Sequence, residues 1–334
     1  MGTVASATPD AIIRSMPVDR LMTARWPFLS LALPLVAFQL SVAAYAYVSV
    51  DQSLGIEFFD SHIRLLGSLT MMGLIPGYLI AAMAWLMRQS ATTLDRLAPI
   101  SEPQVLALAR QRLTHIAWPA WLLIVIGAAF GIQQNEGMLG TMLQRDAFTL
   151  LDVLVVFGNA VLWGCVALLI GWRVPALLAL RRVAASLNVD TYTLADTRPL
   201  TRLATLDVLI IAGAMAFMPL QSLDAEFRWY NYEAGLYIGI VTVTAFFLIP
   251  LTGLRGNLAR LKAHRVQELE AHLATIDRAD IAALEATSAH LERVRAISTW
   301  GLDLALIARI VGYAVIAPMA WVGAALVENL VDSF

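Results

Sequence analysis

The chain has 334 residues, of which 59% are apolar and only 14% charged, against about 25% charged in soluble domains. This excludes a water-soluble fold, and also disorder, because so few charges cannot keep a chain solvated and expanded. The formal charge of -2 points to no nucleic-acid partner, and the single cysteine, Cys165, excludes an intrachain disulfide and a cysteine-rich metal site.

A bilayer core of roughly 30 Å takes about 20 apolar residues per helix. Seven stretches are long enough: 26–50, 65–87, 113–135, 153–172, 203–223 (broken only by Asp207), 234–254 and 304–327 (broken only by Arg309). In lipid a single segment satisfies its own backbone only as a helix. The expected fold is therefore all-α, a polytopic membrane bundle of seven helices.

Basic residues set the direction of threading. Nineteen lie in the segments on one side: before 26, at 88–112, at 173–202 and at 255–295. Arg64, Arg145 and Arg228 are the three on the other side. The positive-inside rule puts the N-terminus in the cytoplasm and, with seven spans, the C-terminus outside. Residues 1–25 carry Arg14, Arg20 and Arg25 without an apolar core and read as a cytoplasmic lead-in. Trp26, Trp85, Trp172 and Trp300 fall at the inner interface on this frame, and Phe227, Trp229, Tyr230 and Tyr232 at the outer one.

Within the cytoplasmic segments, Ser101 and Gln104 read as a capping box with Pro103 at the first helical position, starting a helix that runs into the third span. The segment 255–300 has leucines and other apolar residues at steps of mostly three and four, from Leu254, Leu258 and Leu261 to Leu291 and Val294. Both its ends must meet the same membrane face. The expectation is therefore an antiparallel hairpin, about 255–275 and 279–298, with Asp277 capping the second helix. The chain thus divides into a lead-in (1–25), a six-helix region (26–254), the hairpin (255–300), and the seventh helix with an external C-terminus (301–334). The hairpin either packs on the bundle or serves as a coiled coil for oligomerisation or for docking a cytoplasmic protein.

The sequence carries no H-E-x-x-H, G-x-S-x-G, Walker A or G-x-G-x-x-G motif, so no catalytic residue and no cofactor is assigned. The one lysine, Lys262, lies in the hairpin and not in a span, which argues against a retinal Schiff base. His264 and His272 share a helix face with His290 elsewhere, a pattern that points to a solvated face and to no metal site.

Ionisable groups inside spans are costly and mark a function or a specific partner. Asp207 and Arg309 lie at similar depths and are expected to meet in one polar cluster, either an interhelical pair or a gate. Gln39, Asn159 and His115 are the remaining candidates for a pathway or for hydrogen bonds between helices. Proline at 34, 76, 119 and 318 is expected to kink four spans. Gly127 with Gly131, and Gly235 with Gly239, form G-x-x-x-G pairs that permit close helix contact within the chain or between copies. The outer segments hold Asp51, Glu57, Asp60, Glu136, Asp224, Glu226 and Glu328 together with Asp146, Asp152, Glu233 and Asp332. This acidic rim is either a cation vestibule or the by-product of placing the arginines inside.

The final stretch, with Glu292, Arg293, Val294, Trp300, Asp303, Arg309, Tyr313, Pro318, Trp321, Gly323 and Glu328, resembles the closing segment of a group of bacterial multi-pass membrane proteins without an assigned activity. Relatives in that group tend to read W-P-F-D where this chain has Trp300, Gly301, Leu302 and Asp303. The resemblance implies a bacterial inner-membrane location and no particular chemistry. The functional expectation is a non-enzymatic, oligomeric channel or transporter-like conduit for ions or small solutes. Its alternative is a membrane scaffold or signal-coupling subunit whose hairpin docks a partner.

Overall fold

The computed structural model describes residues 55–134, 150–189, 194–218, 230–277, 280–297 and 299, with isolated helical positions at 33, 34, 36–41, 44, 308 and 312. No strand occurs among them. The helices are α1 (Gly55–Leu97), α2 (Pro103–Thr114), α3 (Trp118–Gln133), α4 (Leu150–Ser186), α5 (Arg198–Met215), α6 (Tyr230–Thr275) and α7 (Ile281–Ala296). Four helical stretches are long and apolar enough to cross a membrane: Leu69–Ile100, Pro103–Gln133, Val153–Ser186 and Glu233–Thr275. Of the first expected span nine residues are described (33, 34, 36–41 and 44), and of the seventh only 308 and 312. The fifth becomes α5, whose 18 residues include Arg198, Arg202 and Asp207 and end at Met215, short of 223.

Helix α1 is the hub. Of its most apolar window 72% is buried, against 17% in Pro103–Gln133, 33% in Val153–Ser186 and 28% in Glu233–Thr275. Leu69, Leu79, Leu86 and Leu94 of α1 pack with Leu169, Leu177 and Leu180 of α4, Leu200 and Leu203 of α5, and Phe246 of α6 in one core. The outward faces are apolar as well: Trp118, Val125 and Ile126 of α3 are 72%, 67% and 63% exposed. Water does not tolerate a contiguous face of this kind, whereas lipid requires it.

Several local expectations are corrected by the helix ends. Pro119 does not kink a span; it lies in the first turn of α3, after a break at 115–117. Its ring would clash with the carbonyl of His115, four residues back, so a helix cannot run through both, and His115 is extended at φ -121°. Prolines do lie inside α1 (Pro76), α4 (Pro175) and α6 (Pro250). Ser101 makes no capping box: its hydroxyl donates to the Leu97 carbonyl at 2.7 Å, and Glu102 is the N-cap of α2 without a side-chain bond.

Both G-x-x-x-G pairs are consumed within the chain. A Cβ on Gly127 would strike the Trp163 carbonyl, and one on Gly131 would lie 2.5 Å from the Asn159 oxygen, so α3 rests directly on the backbone of α4. Gly235 and Gly239 of α6 likewise accommodate Met218 and Met215 at the end of α5.

Helix α6 runs without interruption from the bundle to Thr275, and α7 folds back against it. Asp280, rather than Asp277, is the N-cap of α7, accepting from the Ala283 N–H at 3.0 Å. Lys262 closes the other end by donating to the carbonyls of Arg295 (2.6 Å) and Ile297 (2.8 Å), groups that helix geometry leaves without internal partners. Arg295 bridges to Glu270 at 2.8 Å and to Glu292 at 3.1 Å, and these hydrogen bonds, Glu270 first, hold its proton more firmly still. The C-terminal end of α4 is secured by α6 too, since Asn257 donates to the Leu187 carbonyl at 2.6 Å and Arg260 to that of Ala185 at 2.8 Å.

Gly131→Val is expected to lower stability by about 1–3 kcal/mol through overpacking, while Gly256→Ala, whose added Cβ meets nothing within 4 Å, gains about 0.5–1 kcal/mol from helix propensity. Thermal unfolding of the detergent-solubilised protein separates the two. Lys262→Met is expected to accelerate amide exchange at 294–297 and to leave exchange in α1 unchanged.

Candidate functional site

The apolar run around Arg173 explains its fate. Trp172 precedes it and Val174 to Leu180 follow without a charge, so α4 continues through Arg173 and carries the guanidinium into the bundle. Arg173 is fully buried and meets Asp207 of α5 in a bidentate pair, Nε to Oδ1 at 2.7 Å and Nη2 to Oδ2 at 2.8 Å. Its Nη1 donates to the Ser90 hydroxyl of α1 at 3.1 Å, and the Trp172 ring lies 5.4 Å from the guanidinium carbon. Three helices are therefore joined at one buried cation.

The fork geometry of arginine matches a carboxylate, and each of its remaining donors must find an acceptor when buried. Ser90, which is itself fully buried, supplies one. The indole N–H of Trp172 has no hydrogen-bond partner among the described residues.

One helical turn from this clasp, on the side of Leu169 and Ile170 in α4 and Ile211 in α5, a cavity of about 230 Å³ lies between α1, α4, α5 and α6. Its wall includes Met71, Met72, Met215, Met218, Trp163 and Thr242, with Gln134 and Asn159 as the other polar members. Met215 and Met218 meet Gly239 and Gly235, so the α6 glycines let α5 close that side. Phe130 braces Trp163 edge-to-face at 4.8 Å.

The candidates from the sequence fare differently. Asp207 is buried and charge-paired, and the guanidinium on it is that of Arg173; Arg309 lies outside the described residues. Asn159 lines the cavity and also donates to the Gly131 carbonyl at 3.2 Å, so it holds α3 to α4. Gln39 is 8% exposed and sits in a slot between Gly73 and Gly158, its Oε1 without a partner among the described residues. His115 is exposed at the end of α2 and is not part of the cavity wall. Of the acidic rim, Asp51, Glu136, Asp224, Glu226 and Glu328 lie outside the described residues, and Glu57 and Asp60 belong to α1 in a part where only the backbone is described. Arg173 was missed because a charge conventionally ends a span; the signal for it was the apolar sequence on both flanks.

No family model matches this chain, and neither a curated protein nor a solved structure matches it.

Ser90→Ala removes one hydrogen bond to a buried charge and is expected to cost about 1.5–3 kcal/mol, measured as the shift in denaturation of the purified protein. Thr92→Ala, two residues away with its hydroxyl bonded only to its own helix at the exposed Arg88 carbonyl, is expected to cost well under that.

Proposed function

We propose that this is an integral protein of the bacterial inner membrane with seven spans, N-terminus inside and C-terminus outside, that acts as a conduit for ions or small solutes. The observation that carries the reading is the stacking of a cavity of about 230 Å³ on a buried ion pair. One turn, about 5.4 Å, separates Ile211 from Asp207 on α5. In this reading a solute leaves the cavity towards the end of the bundle where α4 meets α6 by the parting of α4 and α5 at Arg173 and Asp207. The clasp is then a gate, with the bidentate pair as its closed state. Cations and anions alike meet a low-dielectric barrier at such a constriction.

The asymmetry of basic residues is little affected by the burial of Arg173, because eighteen others remain in the segments assigned to the cytoplasm. An oligomer of this protein would use faces other than the two G-x-x-x-G surfaces, which are occupied within the chain. A second reading, a membrane anchor whose α6–α7 hairpin docks a partner, is favoured by how firmly that hairpin is fastened through Lys262 and Arg295.

Purified protein in planar bilayers or solute-loaded liposomes is expected to pass current or solute, with passage lowered several-fold by Asn159→Leu at the cavity wall. Silence at all voltages and gradients carries the anchor reading instead. A reporter joined after Phe334 is expected to be active in its exported form, and cytoplasmic activity there overturns the topology.

A further inference from the structure

We infer that the cavity between α1, α4, α5 and α6 binds an uncharged, mainly apolar small molecule bearing a hydroxyl group. This deepens the conduit reading by naming the class of its cargo.

The described wall of the cavity holds no Asp, Glu, Lys, Arg or His, so these residues offer a charged ligand no counter-charge, and burial against them costs several kcal/mol. The neighbouring Arg173 and Asp207 are bound to each other and carry no net charge as a pair. The apolar surface is dominated by methionines, Met71, Met72, Met215 and Met218, beside Trp163. Thioether side chains adapt to irregular apolar shapes and make favourable contacts with aromatic rings.

Polar groups at the wall fix the remaining feature. The Asn159 amide N–H is committed to the Gly131 carbonyl, which leaves its Oδ1 lone pairs to accept from a donor in the cavity. Thr242 on α6 presents a hydroxyl that both donates and accepts. An alcohol matches this pair, accepting from Thr242 while donating to Asn159. Size sets the scale: a dry cavity of about 150 Å³ takes benzene, so 230 Å³ matches a ligand portion of about nine non-hydrogen atoms.

The test is photolabelling of the full chain in lipid nanodiscs with azihexanol, a diazirine derivative of hexanol with nine non-hydrogen atoms, with adducts mapped by mass spectrometry. Adducts are expected on peptides containing Met71 and Met72, or Asn159 and Trp163. They should saturate with probe, be displaced by excess octanol but not by octanoate or octylammonium, and fall by about tenfold in Ala214→Phe, which fills the cavity. Thr242→Val, which keeps the side-chain shape, is expected to weaken displacement by octanol and to leave displacement by octane unchanged, so a folding failure of Ala214→Phe does not remove the test. Labelling that rises linearly with probe and falls only on outward residues such as Trp118 and Val125 overturns the inference, as does equal displacement by the charged analogues. An acyl chain of co-purified phospholipid in the cavity, detected as adducts that appear only after delipidation, overturns it as well. Saturable labelling in a protein that passes no solute removes the conduit reading alone, whereas ion current without labelling removes this inference alone.

Discussion

Burying a guanidinium and a carboxylate costs several kcal/mol per ion even after relaxation, and their mutual attraction repays this only when the geometry is good and the spare donors are used. In this protein the pair is bidentate, Ser90 takes a further N–H, and the Trp172 ring lies within cation–π range. These conditions are met only if α1, α4 and α5 arrive together in one register. The energetic consequence is asymmetric: the complete cluster contributes modest net stability, but any arrangement that separates the partners leaves an uncompensated charge in an apolar bundle. The cluster thus selects one packing of three helices out of the many that interchangeable leucines would permit.

Helix α4 links everything else to that point. Along its 37 residues it offers Asn159 and Trp163 to α3, Leu162 to Ile170 to the cavity, Arg173 to the clasp, and its final carbonyls to Asn257 and Arg260 of α6. Because α6 then continues as one helix into the hairpin, the element that holds the end of α4 also carries the fold-back at Lys262 and Arg295. Glycines determine how closely the partners approach: Gly127, Gly131, Gly171 and Gly253 each remove the side chain that would keep a neighbouring helix away from α4.

Much of the architecture was legible because lipid imposes a strict rule on composition. Long uncharged runs gave the helices that became α1, α3, α4 and α6, and the period of Leu254, Leu258, Leu291 and Val294 marked the faces that are buried in the hairpin. What the sequence concealed was governed by partners rather than by periodicity. The charge of Arg173 appeared to end a span, since nothing local reveals that a carboxylate 34 residues away will neutralise it. The expected Asp207–Arg309 cluster rested on matched depth alone, and Arg309 lies outside the described residues. Pro119 was ambiguous for a related reason: a proline starts a helix or kinks one according to whether the residue four positions back is already helical. Asp280 prevailed over Asp277 as cap because chain reversal ended three residues later than charge placement alone implied. The cavity was beyond reach, being a negative space between four helices whose linings are ordinary core residues.

A double-mutant cycle on the buried pair tests the account most directly. Arg173→Met and Asp207→Leu are each expected to lower unfolding stability by about 3–5 kcal/mol, because each leaves the other charge buried and unpaired, and the combined variant is expected to recover most of the loss. Single variants as stable as the parent protein, or a double variant whose loss equals the two single losses together, would contradict the claim that this pair organises the bundle.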